Sequence, residues 1–226
     1  MNQERKTVSS LRLPDLPASL TQKSPLQDIT ESALDGQEDV IGVRFADETL
    51  QNVEGTGLEF SGCVFERCRF QGNQWKRLCF VDCVLDHCDL SNEFLMQTSF
   101  QRVRLDCCRL TGVTLEGATL MNMDIYNCQM DFSAFTETKL NHVMFHDCRL
   151  RDSMWDHVTF LHTRLENCDL GQAQWTFTPL AGMDLRGTIT SGWMIDPLDL
   201  RGAKVSPLQA LEFCRLLKLE IMDEEH

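Results

Sequence analysis

Eleven cysteines, six histidines and 34 acidic residues in this 226-residue chain are the side chains from which a thiol, metal or acid–base site would be built. Six of the cysteines, Cys68, Cys88, Cys108, Cys128, Cys148 and Cys168, recur every twenty residues. Six thiols in line suggest a metal ladder or stacked disulfides. Neighbours in such a column have parallel Cβ vectors, a poor disulfide geometry, and tetrahedral zinc needs ligands that converge. The column is therefore read as core packing by reduced thiols, small buried hydrophobes in a chain with no export signal. Cys79, Cys107 and Cys214 fall outside the inward-facing positions, which also take Cys63 and Cys83. Cys107, with Arg102, Arg104 and Arg109 close in sequence, is where a thiol sensor would sit if its pKa were depressed.

His142 and His162 stand one twenty-residue step apart, in line with Arg102 and Asn122, while His146 and His157 project elsewhere. Three converging ligands are not assembled, so solvated histidines are expected and no metal or cofactor. No nucleophile elbow, phosphate loop, HExxH or paired CxxC is present. No catalytic residue is assigned, and the chain is read as a non-enzyme. Two outer columns remain as candidate partner surfaces. Glu66, Asp86, Asp106 and Glu166 form an acidic one, with Asp47, Asp124, Asp147 and Asp184 beside it and Arg44, Arg67, Arg104, Arg164 and Arg186 on the same face. Val81, Met121 and Leu161 form an apolar one, and Phe94, Met144 and Met154 are further outward apolar residues.

These columns exist because of a repeat. Stepping by five from Phe45 to Val205 gives 33 positions, of which 31 are Phe, Leu, Ile, Met, Val or Trp; only Gly55 and Thr190 fail. Average composition would fill about half of them with apolar residues. Five matches neither the period of a strand nor that of a helix, but it suits a coil that turns a corner every five residues. Two residues before each large position lies a smaller inward series that includes Val43, Cys63, Cys83, Val103 and Ala118. The twenty-residue period puts four pentads in one coil. About eight coils at roughly 4.8 Å each make a rod about 40 Å long.

The pattern resembles the pentapeptide-repeat proteins over about residues 40–205, through pentads such as Cys88-Asp89-Leu90-Ser91-Asn92 and Cys168-Asp169-Leu170-Gly171-Gln172. The stretch from Leu200 through Pro207 into the following helix also resembles the end of chromosomal quinolone-resistance-like (Qnr-like) members. The resemblance implies an all-β solenoid, a right-handed quadrilateral parallel β-helix with a short C-terminal capping helix. It also implies a function: a rod of DNA-like width binding the DNA-gating saddle of a type II topoisomerase and protecting it from quinolones or toxins.

The ends depart from the register. Residues 1–39, with Ser9, Ser10, Pro14, Pro17, Ser19, Ser24 and Pro25, read as a flexible or loosely docked arm, whose Leu11, Leu13, Leu16 and Leu20 offer docking across the first coil. Residues 206–226 read as a helix of about twelve residues and an acidic tail. Ser206 is the N-cap, Pro207 the first helical residue and Gln209 completes a capping box. Leu208, Leu211, Phe213 and Leu216 give this helix more apolar surface than capping needs, and in the resembled family such a helix can pair two copies.

Charge narrows the partners. A net charge of −13 argues against direct nucleic-acid or anionic-membrane binding. Within residues 40–205 the 22 acidic and 15 basic residues leave only −7. With no secretory signal and no long apolar stretch, a soluble cytoplasmic protein is expected. The broadest reading is a protein-interaction scaffold of unknown partner; the alternatives are the topoisomerase-binding DNA mimic and, third, a thiol or metal sensor.

Overall fold

The computed structural model describes residues 11–21, 25–219 and 222. From Val40 onward the chain winds as a parallel β-solenoid in which every paired strand meets the one twenty residues away, as in Phe45↔Phe65, Leu85↔Leu105 and Trp155↔Trp175. Four faces follow one another around each coil, beginning at Val40–Ile41, Arg44–Ala46, Thr49–Gln51 and Glu54–Thr56. The first and second faces merge where Ser99–Asp106, Thr119–Tyr126 and Lys139–His146 run unbroken through their shared corner. The third face continues from Arg69–Gln71 as single-residue bridges through Asp89, Arg109, Gln129, Arg149 and Asp169. There Asp89 and Asp169 each accept a backbone N–H from two residues on, local turns that compete with strand pairing.

The five-residue step has a backbone cause. At nearly every corner one residue takes positive φ, recurring at five-residue spacing as in Asn92, Gln97, Arg102 and Cys107. Three extended residues and a left-handed turn make one side, so large residues five apart all face the axis. Phe60, Phe80 and Phe100 stack at 5.5 and 5.2 Å, and Phe135, Trp155 and Trp175 at 4.0 and 5.0 Å. The smaller inward position favours Cys and Thr because a short donor there reaches the carbonyl twenty-three residues back. Cys88, Cys108 and Cys148 donate to Phe65, Leu85 and Ile125 at 3.4, 3.3 and 3.5 Å, as Thr138 and Thr178 do to Leu115 and Trp155 at 2.6 and 3.1 Å. All the cysteines are free.

Both ends are covered by helices. α1 (Leu26–Gly36) lies in the stretch read as an arm and is not announced by its composition. Its Leu26, Thr30 and Ala33 are buried, and the Leu26 N–H donates to the Glu48 carboxylate of the first coil. Upstream, residues 11–21 run lengthwise down the corner between the first and second faces. Thr21 bridges Val43, the Asp15 N–H donates to Asp82 at 2.9 Å, and the Arg12 N–H donates to Asn122 at 3.3 Å. α2 (Pro207–Cys214) is eight residues long, shorter than the twelve expected, and passes into a 3-10 turn at Arg215–Leu217. Its capping box is formed, and the Gln209 amide donates to Leu185 and Thr188 carbonyls at 2.7 and 2.9 Å. Residues 1–10 and 22–24 of the arm, and most of the acidic tail, lie outside the described residues.

Gly55 and Thr190, the two exceptions to the five-residue rule, sit beneath these caps. A Cβ on Gly55 would lie 2.7 Å from the Trp75 ring and 3.0 Å from Leu34 of α1. Thr190 is buried and donates to Glu212 of α2 at 3.1 Å.

Candidate interaction surfaces

The acidic column lies on the second face as one ladder, Glu66, Asp86, Asp106, Tyr126, His146, Glu166. The register brings the four acids into line but interrupts them with an aromatic pair, Tyr126 and His146, stacked at 4.4 Å. The carboxylates also have cationic or imidazole neighbours. Arg44 reaches both Glu66 oxygens at 2.7 Å and Arg104 reaches Asp106 at 2.6 Å. His87 meets Asp86 at 2.8 Å, while His146 spans Asp124 at 3.6 Å and Glu166 at 3.2 Å. Arg104 also lies 5.2 Å over the Tyr126 ring. Asp47 pairs with Arg67, and Asp184 with Arg186, whose hydrogen bond pulls the Asp184 carboxyl down to about 2. This face is a lattice of ion pairs and stacked rings, not a bare negative stripe.

The apolar column on the first face is interleaved. Its ladder reads Ile41, Ser61, Val81, Gln101, Met121, Asn141, Leu161, so a polar residue separates each expected apolar one from the next. Leu161 is exposed, Val81 and Met121 half-buried. Met144 requires correction. Its register is outward, between Asp124 and Arg164, yet it is 1% exposed. Its ladder neighbour Asp124 is itself buried and is reached by His146, two residues on along the same face. Phe94 and Met154 are exposed as expected, on the fourth face.

The C-terminal set divides. Phe213 packs on Trp193 at 5.7 Å and Leu216 lies against the core, whereas Leu208 and Leu211 face solvent. Only the latter two are open to a second copy.

The thiol and imidazole sites do not assemble. Cys107 is exposed, but its thiol is pushed up by local burial and by the Asp106 carboxylate, which accepts its S–H at 3.4 Å. The neighbouring arginines are turned to carboxylates and not to the thiol: Arg102 to Asp82, Arg104 to Asp106 and Arg109 toward Asp89. Burial and then Glu59 raise Cys79 likewise. His142 and His162 meet ring to ring at 4.5 Å with their planes tilted by 37°, and His157 meets Asp156 at 2.9 Å on another corner. Among the described residues no group of three or more His, Cys, Asp or Glu side chains is placed to hold a metal. An open groove near the C-terminal end joins His162, Arg164, Glu166, Asp184, Arg186 and Lys204, in which Asp184 is bound to Arg186 and Glu166 lies 3.9 Å from Arg164.

Sequence reasoning missed Phe132 and Phe177, exposed corner residues at positive φ. The signal is available, since corner positions can be counted from the repeat. No helix among the described residues is long and apolar enough to cross a membrane.

Residues 98–175 match the model of the pentapeptide repeat region. No curated protein matches the chain. Among solved structures, trypsin-treated QnrB1, a plasmid-mediated fluoroquinolone resistance protein, is similar with a TM-score of 0.51 at 20% identity, covering 81% of this chain and 97% of that one. HetL, a pentapeptide repeat protein involved in heterocyst differentiation regulation from the cyanobacterium Nostoc sp. strain PCC 7120, aligns at 14% identity and a TM-score of 0.27, over 80% of this chain and 95% of its own. At such identity the likeness to QnrB1 establishes the fold.

Proposed function

We propose, for a chain that carries a pentapeptide-repeat region on a parallel β-solenoid, that it is a non-enzymatic scaffold whose outer wall binds another protein. The observation that carries this reading is the division of labour in the repeat. Two of every five residues complete the core, so the exposed Phe94, Met154 and Phe177 are not needed to close it. Large aromatic and Met side chains left in water on a rigid wall are the anchors that protein interfaces use. A second copy pairing through Leu208 and Leu211 of α2 is compatible with this role.

The second reading, a topoisomerase-binding DNA mimic, is favoured by the likeness to QnrB1, described as a fluoroquinolone resistance protein, and by the acidic ladder. Two features weigh against it. The carboxylates of that ladder are largely paired, which flattens the field that a basic groove would recognise. The twenty-residue register also runs through residues 40–204 without a projecting loop.

A gyrase supercoiling assay with ciprofloxacin, across a concentration series of the purified chain at fixed salt, separates the two. We expect neither relief of drug inhibition nor direct inhibition at tens of micromolar. Either effect would make the topoisomerase the partner and Glu66, Asp86 and Asp106 the next residues to substitute.

A further inference from the structure

The outward ladder that opens the strands of the fourth face runs Glu54, Gln74, Phe94, Thr114, Ala134, Met154, Gln174, Met194. From Gln74 to Met194 it carries no charged residue, in a chain of net charge −13. Phe94, Met154 and Met194 are 55%, 44% and 53% exposed. The bordering corners add Phe132 and Phe177, exposed by 63% and 71%. Both hold left-handed backbone, at φ 57° and 46°. That conformation strains a bulky residue and suits Asn or Gly, which stand at other corners such as Asn92 and Gly112. Phe177 is partly offset by its contact with His157, ring to ring at 4.9 Å. Backbone strain spent on displaying two phenyl rings to water points to a binding role for them.

Size and charge say what binds. From Phe94 to Met194 is five coil steps, about 24 Å, and three strand residues make a wall about 10 Å wide. That is the footprint of one α-helix of roughly 16 residues. At about 240 Å² it is well short of the roughly 800 Å² per partner that a stable dimer buries, so a second copy is a poor fit. The outward and corner positions of this face from Thr114 to Asp196 include Glu116, Glu137, Asp152 and Asp156 but no Lys or Arg. We propose that the fourth face docks an amphipathic helix of a partner protein, apolar toward the stripe, basic along its edges and aligned with the solenoid axis. This rests on the scaffold reading and names the kind of partner.

The test titrates the full chain into a labelled Leu/Lys amphipathic helix of about 18 residues, roughly 27 Å long, with a Leu/Glu counterpart as control. The Leu/Lys helix should bind, and the Leu/Glu helix more weakly. Phe94→Ser with Met154→Ser should weaken the Leu/Lys Kd by about tenfold or more, equivalent to about 1.4 kcal/mol, while Leu161→Ser on the first face leaves it unchanged. Phe132→Asn with Phe177→Asn should weaken binding while leaving Tm equal or higher, which separates loss of the surface from loss of the fold. Unchanged affinity in both double variants, or equal weakening by Leu161→Ser, would overturn the proposal. So would self-association of the chain that Phe94→Ser with Met154→Ser abolishes, since a second copy would then be the occupant. A host protein retained equally by the chain and by that double variant would overturn helix docking while leaving the scaffold reading standing.

Discussion

At the scale of single residues, accessibility and charge state are set by the coil wall. Cys107 is exposed, Cys79 and Cys214 are half-buried, and the other eight thiols are buried beneath the backbone of the preceding coil. Ellman titration of the native chain should show one fast thiol, lost in Cys107→Ser, at most two slower ones, and eight that react only after denaturation. Fast reaction of a buried-column thiol would mean that the coils open far more readily than their bonding implies. Glu93 makes a sharper case. Its carboxyl is enclosed, Oε1 accepts the Asn73 N–H at 3.2 Å and Oε2 has no hydrogen-bond partner. Burial raises its pKa above the ordinary value of 4.5. The folded chain thus binds this proton more tightly than the unfolded one. Stability falls as pH rises from below that value through the folded pKa, then stays at the lower level. Glu93→Gln keeps the acceptor for Asn73 and removes the charge, so it should gain about 1 kcal/mol over the parent above that window and nothing below it. Urea unfolding at several pH values measures this, and a difference independent of pH would contradict the assignment.

At the scale of elements, the capping helices explain where the repeat breaks. Restoring the register with Gly55→Leu would drive a side chain into the Trp75 ring and Leu34. We expect a loss of about 1–3 kcal/mol, together with faster proteolysis within α1, because the helix is the movable partner. Stabilisation instead would show that α1 is not seated on Gly55. The same residues show what could be read in advance. The solenoid was legible because its large inward positions are chosen by volume, and volume is written in residue type. α1 was not, because a short helix in a stretch rich in Ser and Pro is held by Glu48 and the first coil, and its own composition says little. The outer wall was legible in part. The twenty-residue columns were correctly aligned, yet Met144 is buried, and Phe132 stands where an Asn or Gly would be cheaper.

At the scale of the molecule, the solenoid is close to one-dimensional: each coil bonds to the one before and the one after, so stability is a sum of neighbour terms with exposed ends as the weak points. The C-terminal end depends on α2. Gln209 occupies the carbonyls of Leu185 and Thr188, Phe213 covers Trp193, and Glu212 accepts from Thr190. A chain stopped after Val205 loses all of these at once, leaving buried acceptors without donors and an open sheet edge. Because the stack is additive, the damage should stay local. Hydrogen exchange should rise across about the last coil, residues 180–205, while the coils between Phe80 and Phe160, bonded on both sides, keep their protection. The truncated chain should also associate with itself through the opened end, seen as a concentration-dependent sedimentation coefficient. Loss of protection along the whole rod would show instead that the stack folds as one cooperative unit, in which α2 is part of the nucleus and not only a lid.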